Sequence, residues 1–239
     1  MSDERALRVW TLIGEAAADR HGTVAVQDAC VACVRALRVS GAGLSAVSGV
    51  PGLRLEPVHV VGELSRGLAE AELTSGDGPC VDAVSERRPV LVADLLTVEA
   101  QARWPLFTTL GQAARVRAVF AFPLLAGTVV AGILVLCQDR PRMLDEAEQA
   151  RAGLFASAAL ALLLSMVTMD GDGEVLAVAA LALGPQIHQA SGIVAIQADC
   201  TVEQALLRLR AYALAADEPL TEVARRVVAH RLRFSPAGG

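Results

Sequence analysis

The chain has 239 residues, 54% of them hydrophobic, 20% charged and 3% aromatic, with 21 basic against 26 acidic side chains and a formal charge of −5. That composition supplies a core of ordinary size and excludes a disordered chain, and the length allows one or two domains. So few aromatics exclude a base-stacking Tyr/Phe platform, and the net acidity requires any nucleic-acid site to be local. All 21 cations are Arg, hence planar and always charged.

Taken in chain order, the pattern predicts an N-terminal helix over Arg5–Ala18 and a second over Val26–Leu37. The second has apolar residues at 26, 29, 30, 33, 34 and 37, one face at helical spacing. Gly43–Val50 and Val58–Leu64 are short, alternating and bounded by Gly or Pro, and read as strands. Gly76-Asp77-Gly78-Pro79 is a tight turn opening a short helix, with Pro at an early helical position. Pro89–Val92 is strand-like and Trp104–Ala114 helical. Val116–Leu125 and Val129–Cys137 are apolar runs joined by Ala126-Gly127-Thr128, a hairpin. A long helix then runs from Asp145 to Met169. Its apolar core, Gly153–Val167, is 15 residues long, short of the roughly 18–20 needed to span a bilayer, so no membrane is expected. From Leu154 it is apolar on most faces, which predicts burial across a homodimer axis, with the N-terminal helix as partner.

Asp170-Gly171-Asp172-Gly173 punctuates the chain, and an apolar segment, Val175–Leu183, ends at Gly184-Pro185. Three further helices follow: Ile187–Gln197; Val202–Ala215, with Thr201 as N-cap and 202, 205, 206, 209, 212 and 213 inside; and Leu220–Leu232, with 220, 223, 224, 227, 228 and 232 inside. The expected architecture is α+β. Residues 1–169 hold an antiparallel sheet with flanking helices and the dimerisation helix. Residues 170–186 form a connector, 187–234 an all-α three-helix domain, and 235–239 a frayed tail. From Ile187 onward six Arg face five acids, a net of +1, while the first 186 residues carry −6.

No phosphate-binding loop, dinucleotide fingerprint or HExxH motif occurs, and the four His are not at metal-ligand spacing, so neither cofactor nor metal is expected. Cys30-Val31-Ala32-Cys33 is formally CxxC, but both cysteines fall on the apolar helix face. Five cysteines at irregular spacing, with no apolar leader, point to a reducing cytoplasm. Cys80 is either a packing residue or, near a helix start, a thiol of lowered pKa. Trp104 and Phe107 either line a ligand pocket or cap the core.

Two sets of motifs carry a resemblance. Gly76-Asp77-Gly78-Pro79-Cys80, Arg88-Pro89-Val90-Leu91-Val92-Ala93-Asp94-Leu95, Arg103-Trp104-Pro105, Phe122-Pro123-Leu124 and Gly132-Ile133-Leu134-Val135-Leu136 occur in the order found in GAF domains of actinobacterial regulators. Ile187-His188-Gln189-Ala190-Ser191-Gly192-Ile193, the run Glu203–Ala213, and Pro219–Val228 are similar to the ANTAR domain, a three-helix RNA-binding module. The resemblance implies a non-enzymatic, signal-responsive regulator. Its GAF part would sense a signal, which can be a small molecule, and its dimeric ANTAR part would bind a tandem-hairpin leader RNA and prevent transcription termination. At Ser191 the family commonly has a basic residue or Thr.

The residue chemistry fits that implication. His188, Gln189 and Ser191 offer hydrogen bonds at one end of the first C-terminal helix, and Gly192 permits close approach of RNA or of a helix. Arg208 and Arg210 flank the buried stripe of the second helix. Tyr212 either stacks on a base or joins the core. Arg225, Arg226, Arg231 and Arg233 lie off the buried stripe of the third helix, as RNA contacts or as a solvated face with a Glu222–Arg226 pair. Two alternatives stay open. One is a sensory, dimerising protein whose ANTAR part no longer binds RNA. The other is a sulfoxide-reducing GAF enzyme, for which Cys80 and Cys137 are the pair to test.

Overall fold

The computed structural model describes residues 2–48, 54–166 and 185–235. Its centre is a five-stranded antiparallel sheet, order β2-β1-β5-β4-β3, built from β1 (Gly41–Ser48), β2 (Arg54–Val61), β3 (Val90–Val92), β4 (Ala118–Ala126) and β5 (Val129–Gln138). Alternate residues of the central strands enter two different cores. Ala118, Phe120, Phe122, Leu134 and Leu136 face one side, and Val119, Ala121, Ile133, Val135 and Cys137 the other. A sheet covered on both faces reads as a continuous apolar run rather than an alternation.

The first face is covered by α1 (Ser2–Asp19), α2 (Val26–Leu37) and α7 (Glu146–Ser165). Asp145 caps α7, accepting from the Glu148 N–H at 2.8 Å while Glu148 accepts from the Asp145 N–H at 3.1 Å. Among the described residues, α7 is the one helix long and apolar enough to cross a bilayer by length and composition. Its inner face, including Phe155, Ala159 and Leu163, is packed into this core. The expected end at Met169 and the Val175–Leu183 segment lie outside the described residues, as do the 170–184 part of the connector and residues 236–239.

The second face carries α3 (Glu63–Ser75), α4 (Pro79–Glu86), α5 (Val98–Arg103) and α6 (Pro105–Ala113). Two of these were not legible in the sequence. Helix α3 follows Gly62, which offers no side-chain cap, and Ser65, Glu72 and Thr74 are on its buried face beside Leu68 and Ala71, so the apolar stripe that marks a helix is broken. Helix α5 is only six residues long, capped by Thr97. Strand β2 starts at Arg54 rather than at Val58, because Pro57 sits inside it. It is an edge strand, and the register against β1 shifts at Leu44/Ser45 beside Pro57, which is where a residue without an N–H is tolerated.

Beyond α3 lie α8 (Pro185–Gln197), α9 (Val202–Ala216) and α10 (Leu220–Val228). They close a third core of their own around Ile187, Ala190, Val194, Ala205, Leu209, Ala213, Leu220, Val223, Ala224 and Val227. Thr201 caps α9 as expected, in a reciprocal pair with Gln204. Val202 is exposed instead of buried. Helix α10 stops at Val228, after which Leu232 and Phe234 fold back against the same core.

Candidate functional site

A cavity of about 300 Å³ opens where α3 and the β1–β2 pair meet the three C-terminal helices. Its sheet-side wall is Ser45, Leu55, Glu56 and Pro57, brought together by the register shift between β1 and β2. Its floor is Ala69, Glu72, Leu73, Gly76 and Val81. The opposite wall is Ile187 and His188 of α8, Glu203, Leu206, Leu207 and Arg210 of α9, and Leu220 of α10.

The ionisable groups are held by specific contacts. His188 Nε2 hydrogen-bonds the buried Glu56 Oε1 at 2.5 Å, and Arg210 Nε donates to the Leu73 carbonyl at 2.9 Å. Gly76 ends α3 in the left-handed region (φ +72°), and a Cβ there would lie 2.4 Å from Arg210 Nη1, so the guanidinium rests directly on this turn. Glu72 is 7% exposed. Burial pushes its carboxyl up to about 7, against hydrogen bonds from the Cys80 thiol and backbone N–H that favour the ionised form. Its Oε1 has no hydrogen-bond partner among the described residues. At the cavity's edge the backbone N–H and hydroxyl of Thr221 donate to the Glu70 carboxylate at 3.2 and 3.1 Å.

The residues expected to line a ligand pocket do not line this one. Cys80, Trp104 and Phe107 are all in the second-face core. Phe107 underlies the Gly78 turn, and Trp104 donates its indole N–H to Asp82 at 3.1 Å beneath the Arg103 guanidinium. Nor is Cys80 an activated thiol: burial pushes it well above 9, and the Glu72 carboxylate adds to the shift. Burial similarly holds Cys137 up at about 11 and Cys30 at about 12. Among the described residues no group of three or more metal-ligating side chains forms.

The residues expected to meet RNA are scattered over different environments. Ser191 is fully buried and donates to the Ile187 carbonyl at 2.8 Å, a correction to its expected surface role. His188 and Arg210 face the cavity. Tyr212 packs edge-on against Phe234 with Arg226 over its ring. Glu222 pairs with Arg225, not Arg226, which pairs with Glu218 at 2.5 Å. Gln189 and Arg225 are exposed, Arg208 and Gly192 half-buried. The sequence reading missed Glu56 and Glu72. For Glu72 a signal existed, since it stands four residues after Leu68 and eight after Leu64, where an apolar residue would continue the stripe.

The chain belongs to the GAF domain family, whose model matches residues 22–163. It is similar in fold to the GAF domain of a phosphoenolpyruvate-protein phosphotransferase from Coxiella burnetii (16% identity, 67% of this chain and 95% of that one, TM-score 0.47). It is also similar to the corresponding Acinetobacter domain (10% identity, 69% and 94%, TM-score 0.46). A third is the type II free methionine-R-sulfoxide reductase of Thermoplasma acidophilum (17% identity, 63% and 94%, TM-score 0.42). No curated protein sequence matches the chain.

Proposed function

We propose that this protein is a cytoplasmic, homodimeric regulator in which the GAF domain senses a signal and the three C-terminal helices bind a tandem-hairpin leader RNA to prevent transcription termination. The observation that carries the reading is the construction of α8–α10. They close a core of their own, distinct from both sheet cores, and meet the GAF domain through Leu73 of α3 and through hydrogen bonds that include His188–Glu56, Arg210–Leu73 and Thr221–Glu70, the build of an effector module attached to a sensor. The sequence resemblance supplies the RNA chemistry. Exposed Gln189, Arg225, Arg231 and Arg233, with half-buried Arg208, are the side chains that reach solvent in the docked arrangement. High thiol pKa values favour a sensory over a cysteine-based enzymatic role.

The test is fluorescence anisotropy of a labelled tandem-hairpin RNA, with a loop-scrambled control, at two salt concentrations. Tight, loop-dependent binding is expected, with log K falling against log salt at a slope of about −3 for four phosphate contacts. Binding indifferent to the scramble would favour the second reading, a sensory protein whose helical unit no longer reads RNA, for which the buried Ser191 is the motivating observation.

A further inference from the structure

We propose that the cavity between the GAF sheet and α8–α10 is a binding site for a small organic cation, an ammonium or amidinium head on an apolar body, completed only when both halves of the chain contribute. This deepens the sensory reading and rests on it, by naming the chemical class of the signal.

Three observations carry it. First, a volume of about 300 Å³ suits a ligand of small-metabolite size, and cavities of this size between packed units are common binding sites. Second, Glu72 is more than nine-tenths buried, lines the cavity, and has an oxygen without a hydrogen-bond partner among the described residues. A buried, unsatisfied carboxylate oxygen is costly, and an N–H donor from a ligand satisfies it. Third, the ionisable lining is acidic: Glu56, Glu72 and Glu203 against the guanidinium of Arg210 and the imidazole of His188. An anionic ligand would add charge of the sign already in excess, and a purely apolar one would leave Glu72 Oε1 unpaired. A cation satisfies both the hydrogen bond and the charge. Leu55, Leu73, Ile187, Leu206, Leu207 and Leu220 receive its apolar body. The last four belong to the C-terminal helices, so the bound cation bridges the two halves.

The experiment compares three probes with one six-carbon body, hexylammonium, hexanoate and hexanol, by isothermal calorimetry on the full chain. Hexylammonium is expected to bind at least about tenfold more tightly than either of the others. Glu72→Gln, checked for folding by circular dichroism, is expected to weaken it by roughly tenfold or more. Leu207→Trp, a change at a largely exposed position that fills the cavity from the α9 side, is expected to abolish it. If hexanoate or hexanol binds as well as hexylammonium, the assignment of a cation is overturned while the sensory reading stands. Failure of all three probes to bind overturns the proposed site, while the RNA-binding reading is decided separately by the anisotropy assay. Hexylammonium binding that survives both substitutions places the ligand elsewhere and equally overturns the proposal.

Discussion

At the scale of one residue, Glu72 stands where the second-face core around Cys80 meets the cavity. It is a carboxyl on the inner face of α3, hydrogen-bonded by Cys80 and lining the cavity, with its Oε1 unpaired among the described residues. Its folded-state value of about 7 stands above the ordinary 4.5. Below about pH 4.5 both the folded and the unfolded chain hold the proton, and burial of Glu72 costs nothing in charge. As pH rises from 4.5 to 7 the unfolded chain ionises first and stability falls, levelling once the folded carboxyl has also ionised. At about 1.4 kcal/mol per pH unit the loss is on the order of 3 kcal/mol. Glu72→Gln removes this component. Urea denaturation at pH 5 and pH 8 should show the wild type losing about that much relative to the variant, and parallel curves for the two proteins would contradict the assignment.

At the scale of elements, the three C-terminal helices are held by small contacts at fixed spacing. Leu209 is fully buried at the centre of their core. Leu209→Ala should cost about 2–5 kcal/mol. The core of α8–α10 is separate from those of the sheet, so the loss should be local. Hydrogen exchange should accelerate in the 185–235 amides and stay unchanged in β4 and β5. Helix α7 raises a different question. Its apolar surface is wider than one sheet covers, and α1 and α2 take up much of it within the chain. What is left outward is Leu164 at 47% exposure, with Leu7 and Trp10 of α1 at 68% and 41%. These are the residues on which the proposed homodimer would close. Sedimentation at micromolar concentration should give twice the chain mass, and Leu7→Glu with Leu164→Glu should give a monomer. A wild-type monomer would remove the dimer from the proposal.

At the scale of the whole molecule, the docking of α8–α10 on α3 occupies groups the RNA reading needs. His188 is bound to Glu56, and Arg210 rests on the Leu73 carbonyl and the Gly76 turn. The Thr221–Glu70 hydrogen bonds lie outside both the cavity lining and the RNA candidates, so they offer a clean handle. Glu70→Ala should loosen docking without altering any RNA-facing side chain. If docking competes with RNA, the variant should bind the tandem-hairpin RNA about fivefold or more tightly than wild type in the anisotropy assay, a coupling of ordinary allosteric size. Unchanged affinity would mean that the two faces do not compete.

The sequence by itself determined the elements whose periodicity is unbroken. Val26–Leu37 emerges with the same bounds, the β4–β5 hairpin sits where its two apolar runs place it, the long helix starts at Asp145 as its cap, and Thr201 caps the helix it was expected to cap. It also carried the GAF assignment, through the spacing of the Gly76–Cys80 turn, the Arg88–Leu95 segment and the two central strands. Only the tertiary structure decided the site. Helix α3 hid behind the polar residues on its buried face, and those include the carboxyl that lines the cavity, so the chemistry that makes the site also interrupts the apolar stripe that would mark the helix. Glu56, on an edge strand, is buried and hydrogen-bonded to His188 of α8, and Arg210 meets Leu73 and Gly76 across more than 130 residues of chain. Periodicity reports one face of one element against an average core. A cavity is made by residues from β1, β2, α3, α4, α8, α9 and α10 at once, and their juxtaposition is fixed by packing rather than by local pattern.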